Sequence, residues 1–236
     1  MNYHQGLSRS VSLTDLVSDF DETVLRAVNG LAGQSVVLDV IFVIITALGI
    51  SYVLAVLFFP LWIARRRTAA LDMIVVLLLS IAFEMLLKAV FARERPFVSL
   101  DDLNAVQVDF LNTASGYSLP SGHATRAFAV GMFLWLAFKG RARHLIPVGA
   151  TLVAVSRVYL GLHWPTDVIA GAALGTVLAL AVHQVGRRSK TYIAARSVVI
   201  RALERLTTLH HPRTCSRTAG VSVRPSCADT SCTEEA

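Results

Sequence analysis

Charge is scarce in this chain of 236 residues: Asp, Glu, Lys and Arg make up 16% of it, while 54% is hydrophobic. A mean hydropathy of +0.58 is too apolar for an ordinary soluble domain, so an integral membrane protein is expected. Cysteine is nearly missing too. Cys215, Cys227 and Cys232 lie close to the C-terminus with neither a CxxC pair nor ordered histidine spacing, so a zinc site with His210 and His211 yields to a disordered tail with free thiols. Residues 1–20 lack an apolar stretch, and no cleavable signal peptide is expected. The basic residues give a formal charge of +6 but lie in short clusters beside apolar spans and not along one polar face, so no nucleic-acid partner is expected.

What the chain has instead is apolar runs. Residues 12–33 come first, with Leu13, Leu16, Val17, Phe20, Val24, Leu25 and Val28 near helical spacing and Asp15, Asp19, Asp21, Glu22 and Arg26 between them. That pattern predicts an amphipathic helix lying in the membrane interface. Runs at 36–64, 69–91, 123–138, 145–162 and 166–186 follow, the first with a kink expected near Gly49. The fold class read from them is all-α, an integral membrane bundle of about five transmembrane helices, six at most. Three segments result: an interfacial segment 1–35, a transmembrane domain 36–186, and a basic, largely disordered cytoplasmic tail 187–236.

Arg65 to Arg67, the linker 139–144 and the cluster Arg187, Arg188 and Lys190 fall on one face of such a bundle. The positive-inside rule makes that face cytoplasmic. Loop 92–122 and the 162–166 junction then face the periplasm or exterior, in a plasma-membrane protein with several spans. Gly171 and Gly175 form a GxxxG step, read as helix packing, with a homodimer interface as the second reading.

Three stretches put charge where lipid should exclude it. They are Lys88-AVFARE-Arg95-Pro96, Pro120-Ser121-Gly122-His123, and Ser156-Arg157-VYLGL-His163-WPT-Asp167, all at the outer ends of spans. Phosphoryl transfer spreads charge over three equatorial oxygens, so its catalyst must mainly position and neutralise. Lys88, Arg95 and Arg157 supply cations for those oxygens. Ser121 and Gly122 open a helix whose backbone N–H groups form an anion site, with Gly122 letting the backbone come close to phosphate. His163 is then the nucleophile, Asp167 holds its imidazole, and His123 is the acid and base. No metal or other cofactor is required, since the three stretches hold no carboxylate cluster to bind one. Arg126, one turn past His123, either touches a second phosphate or snorkels to the interface. Singly, each stretch could be a cap or an i,i+4 ion pair such as Glu84 with Lys88; together on one face they point to a site.

The pattern K-x6-RP, PSGH, SR-x5-H-x3-D resembles the type 2 phosphatidic acid phosphatase superfamily, over about residues 20–186. The resemblance implies a helical bundle, phosphatase chemistry through a phosphohistidine, and the same roles for Lys88, Arg95, Ser121, Gly122, His123, Arg157, His163 and Asp167. Within that superfamily the compact layout is similar to bacterial carrier-lipid phosphatases, which makes undecaprenyl diphosphate the first expected substrate. Phosphatidylglycerophosphate, phosphatidic acid and lipid A phosphates are the alternatives, because some carrier-lipid members have Asp where Gly122 stands. A non-catalytic membrane protein that binds anionic lipid heads, and a vanadate-dependent haloperoxidase, are the competing classes. The expected partners are a lipid phosphate and the membrane itself.

Overall fold

The computed structural model describes residues 12–104 and 116–209, and every regular element among them is helical. In chain order these are α1 (Leu13–Asn29), α2 (Val36–Ala47), α3 (Ser51–Val56), α4 (Phe58–Ile63), α5 (Arg67–Phe91), α6 (Pro96–Ser99), α7 (Gly122–Ala137), α8 (Leu145–Tyr159), α9 (Pro165–Arg188) and α10 (Lys190–Leu209), with a 3-10 turn at Arg141–His144 before α8. Two helical runs, Arg67–Ser99 and α9, are long and apolar enough to cross a membrane. The α2 run and the run Ser51–Ile63 add a third if taken as one span, bent by 58° around Gly49. Helices α7 and α8 have 16 and 15 residues, or about 24 and 22 Å at 1.5 Å per residue, less than a 30 Å hydrocarbon core. Length thus assigns two spans, or three.

Helix α7 touches α5, α8 and α9. Its small buried residues Gly122, Ala124, Ala127, Ala129 and Gly131 let those neighbours approach closely. The closest approach is at the GxxxG step. A Cβ on Gly171 would lie 2.7 Å from the Ser121 carbonyl, and one on Gly175 would overlap the Thr125 carbonyl. The glycine face is therefore filled by α7 of the same chain, which takes this step away from the second, dimeric reading. Met73, Val76, Leu77, Val130, Phe133, Ala179 and Val182 form the apolar core between α5, α7 and α9.

Helix α1 packs against α8 and α9, but only the C-terminal part of the stripe that its sequence suggests, Leu25 and Val28, takes part. Its buried residues are Asp21, Leu25 and Asn29, while Leu13, Leu16, Val17 and Phe20 stay exposed. In a membrane protein, exposed means facing lipid as readily as water, so the apolar side belongs to the bilayer and a partly polar side to the protein. The expected interfacial helix is thus also a packed part of the bundle. At the other end, the segment expected to be largely disordered opens with α10, whose Tyr192 donates to Asp72 at 2.8 Å and whose Arg196 pairs with the same carboxylate. Residues 210–236, with all three cysteines, lie outside the described residues.

Candidate active site

Helix α8 ends in a Schellman turn. Gly161 has φ +69°, its N–H bonds to the Val158 carbonyl, and the Leu162 N–H reaches back to the Arg157 carbonyl at 3.1 Å. Only glycine takes that left-handed conformation without strain. The turn leaves His163 in the short link before Pro165, which opens α9 at the position proline suits best. Arg157, on the last turn of α8, and Asp167, on the first turn of α9, therefore lie on either side of His163 along the chain.

His163 is 2% exposed. Its Nε2 lies 3.4 Å from Nη1 of Arg95. A guanidinium only donates, so Nε2 faces it with a lone pair and the ring proton belongs on Nδ1. There Ser118 Oγ lies at 3.4 Å and Asp167 Oδ2 at 3.5 Å. Asp167 already accepts three other bonds. Its Oδ1 accepts from Arg93 at 2.8 Å, and its Oδ2 accepts from Ser118 Oγ and, at 3.0 Å, from the Trp164 N–H. The expected direct bond from Asp167 to His163 is thus a long contact shared with the Ser118 hydroxyl. Burial first, then the charges of Arg157, Arg95 and Lys88, hold the His163 imidazole well below its usual 6.5, which keeps it neutral.

Arg95 is fixed by two carbonyls, of Gly116 at 3.0 Å and Leu162 at 3.2 Å. Arg157 donates to Thr46 of α2 at 2.8 Å. His123 fits under the bend of α2 and α3, where a Cβ on Gly49 would lie 3.1 Å from its ring. Four donor or acceptor atoms of this region are buried without a protein partner: Ser121 Oγ, His123 Nε2, Arg126 Nε and Arg157 Nε. Burying such groups unpaired costs about 1–3 kcal/mol each, so their concentration at one place marks a site built for a ligand rich in acceptors. Ser121 occupies the N-cap of α7 yet its hydroxyl caps nothing.

Glu84 alters two expectations. It pairs with Lys88 at 2.7 Å, the i,i+4 bond open to it from sequence, and also with Arg126 at 2.6 Å. One arm of Arg126 is therefore held by Glu84, while its Nε is left without a partner. The carboxylate also fills the place that a Cβ on Gly122 would need, so this glycine makes room for Glu84 where the sequence suggested room for phosphate. Sequence reasoning missed Arg93, Ser118 and Asp21. Arg93 lies within the Lys88 to Pro96 stretch, directly after Ala92, whose φ of +45° ends α5; its position inside that stretch was the only available signal.

The PAP2 superfamily profile matches residues 69–190, just over half of the chain, with His123, Arg157, His163 and Asp167 inside it. The chain belongs to the PAP2 superfamily. It is 35% identical over 114 residues to an undecaprenyl-diphosphatase of Sulfolobus acidocaldarius, covering 48% of this chain and 52% of that protein. The chain spans about half the length of the curated relatives it matches. Among solved structures, Aquifex aeolicus LpxE superposes with a TM-score of 0.62 at 28% identity, over 70% of this chain and 94% of its own. The first transmembrane PAP2 type phosphatidylglycerolphosphate phosphatase from Bacillus subtilis does so with 0.63 at 28%, over 75% and 90%. With its apolar helices of spanning length and these neighbours, the chain is a membrane protein.

Proposed function

We propose that the protein is a membrane lipid phosphatase working through a phosphohistidine. The observation that carries the reading is the set of buried, unpartnered Ser121 Oγ, His123 Nε2 and Arg157 Nε beside a neutral His163. A phosphate supplies the oxygens that Ser121 and Arg157 lack, with Lys88, Arg95 and the N–H groups at the start of α7 as further ligands. His163 Nε2 attacks phosphorus as the bond to the leaving oxygen breaks, and His123 gives that oxygen its proton. Water then returns a proton to His123 and attacks phosphorus, and the N–P bond breaks with its electron pair going back to His163. Asp167 and Ser118 keep the Nδ1 proton in place throughout. Gly122 acts through Glu84 and the opened helix start, and Arg126 holds Glu84.

Undecaprenyl diphosphate is the first substrate choice, supported by the relative named for that activity. A lipid monophosphate such as phosphatidylglycerophosphate is the second reading. It is favoured by the pairing of Arg126 with Glu84, which leaves less charge for a second phosphate, and by the likeness to the Bacillus subtilis enzyme. The site opens to the outer side of the plasma membrane, supported by arginines 65–67, 187 and 188 at the opposite ends of α5 and α9. The test is phosphate release by purified protein, in EDTA, from carrier-lipid diphosphate and from glycerolipid monophosphates. Turnover that His163→Ala removes supports the mechanism; undiminished turnover in that variant ends it, and no turnover on any lipid phosphate ends the phosphatase reading.

A further inference from the structure

The three buried residues of α1 fall at i, i+4 and i+8, so they form one face: Asp21, Leu25 and Asn29. Two of the three are polar. If packing alone held this helix, apolar residues would serve better. Leu25 packs among Ala124, Ala154, Val158 and Val168. Asn29 Nδ2 donates to the Tyr159 carbonyl at 2.8 Å, at the end of α8, four residues before His163.

Asp21 is 0% exposed and reaches further into the site. Its Oδ1 accepts the Thr166 N–H at 2.8 Å, and its Oδ2 accepts the Thr166 hydroxyl at 2.5 Å and Arg93 Nη2 at 2.6 Å. The other arm of the same guanidinium, Nη1, donates to Asp167 Oδ1 at 2.8 Å and to Thr166 Oγ1 at 2.7 Å. The donors and acceptors balance: the hydroxyl gives its one proton to Asp21 and accepts from Arg93. One fork therefore bridges two buried carboxylates, one from α1 and one beside His163.

The same carboxylate completes the start of α9. Trp164 holds the N-cap position, and an indole has no oxygen with which to accept the free N–H groups of a first turn. Asp167 takes the Trp164 N–H from within the helix. The Thr166 N–H is taken by Asp21, a cap supplied by a different helix. Arg93 is 28% exposed; with its second carboxylate gone it is free to leave the fork geometry, and Asp167 loses the one cation bonded to it.

We propose that Asp21 is a positioning residue for the hydrolysis. Acting through Arg93 and Thr166, it fixes Asp167 and the first turn of α9, so α1 is a working part of the site although it lies outside the matched PAP2 region. This rests on the phosphohistidine reading. The phosphate ligands Lys88, Arg95 and Arg157 bond to other groups, so substrate affinity is not what Asp21 sets.

The test compares wild type, Asp21→Asn, Arg93→Ala, the double variant and Arg93→Lys on one lipid phosphate, with thermal stability measured for each. Asp21→Asn, nearly isosteric, is expected to lower kcat about tenfold with KM within about twofold, the loss typical of a displaced catalytic group. In the Arg93→Ala background the same substitution is expected to change kcat by less than about twofold, because the two act as a unit. Arg93→Lys, which keeps the charge but reaches only one carboxylate, is expected to resemble Asp21→Asn. Wild-type kcat in Asp21→Asn, multiplicative losses in the double variant, or a rise in KM with kcat unchanged overturns the proposal. If Asp21→Asn does not fold, Arg93→Lys decides alone, and wild-type kcat there overturns it. Wild type that turns over no lipid phosphate overturns the phosphatase reading instead, so the two failures are distinct.

Discussion

Helices α1 and α10 are both amphipathic, both lie at the ends of the described bundle, and each is fastened by a carboxylate and a guanidinium. In α1 the helix brings the acid, Asp21, to Arg93; in α10 it brings the base, Arg196, to Asp72 of α5. The difference is where each pair leads. Arg93 passes the connection on to Asp167 and Thr166, whereas Asp72 is met by Tyr192 of the same α10, and Arg196 goes no further than the Gly186 carbonyl. The same chemistry therefore anchors a helix in one place and connects it to a candidate active site in the other. An ion pair in an apolar chain is informative through its third partner.

The largest expected effect lies at the end of the α1 connection. His163→Ala is expected to lower kcat by about 10³-fold or more, the loss usual for a covalent nucleophile, measured as phosphate release. Next is Arg157→Ala, for which about 10²-fold in kcat is expected, as for removal of one preorganised charge in a water-poor site. Steady-state kinetics against a lipid phosphate checks it. The α10 side supplies the contrast. Asp72→Asn is expected to leave kcat within about twofold while costing up to about 3 kcal/mol of stability, since it strips a half-buried guanidinium of its partner; thermal unfolding read alongside kcat separates the two. A large fall in kcat there would break the comparison, because it would give α10 the same reach as α1.

Acidity gives a gentler probe. In the proposed mechanism His163 must be neutral to attack, and its folded value lies well below 6.5. The acid limb that His163 sets on kcat/KM is therefore expected below pH 6.5. The sign for stability follows: the unfolded chain takes up the proton first, so this residue is without effect above pH 6.5 and removes stability as pH falls below it. A pH profile of the rate with a parallel denaturation series checks both.

Much of the site was legible because its chemistry depends on residue types that an apolar chain rarely carries. Lys88, Arg95, Ser121, His123, Arg157 and Asp167 stood out by contrast, and Arg95 and His163, 68 positions apart, meet at 3.4 Å. Asp21 was hidden by the opposite circumstance. It is one of five charged residues in α1, and a pattern that sorts apolar from polar sends all five to water. Only the missing acceptor at Trp164 and the Arg93 fork, both long-range facts, single it out. Ser118 was invisible for a similar reason, since a lone serine before Pro120 reads as part of a turn. The bend at Gly49 was legible, but not that Val153 and the His123 ring pack against that glycine. The number of spans stayed hard to read because α7 and α8 are short, and apolar composition does not distinguish a short span from a buried core helix.

The contact of Gly171 and Gly175 with α7 has a mechanical consequence. With no Cβ between them, the backbones of α7 and α9 meet directly, at Ser121 and at Thr125 to Ala129. Two helices locked in this way cannot slide along each other by a fraction of a turn. His123 rides on the first turn of one and Asp167 on the first turn of the other, so the glycine step works as a fixed gauge between the proposed proton donor and the proposed nucleophile beside Asp167. In-line displacement at phosphorus needs its two sides held at one spacing, and here two missing methyl groups set it.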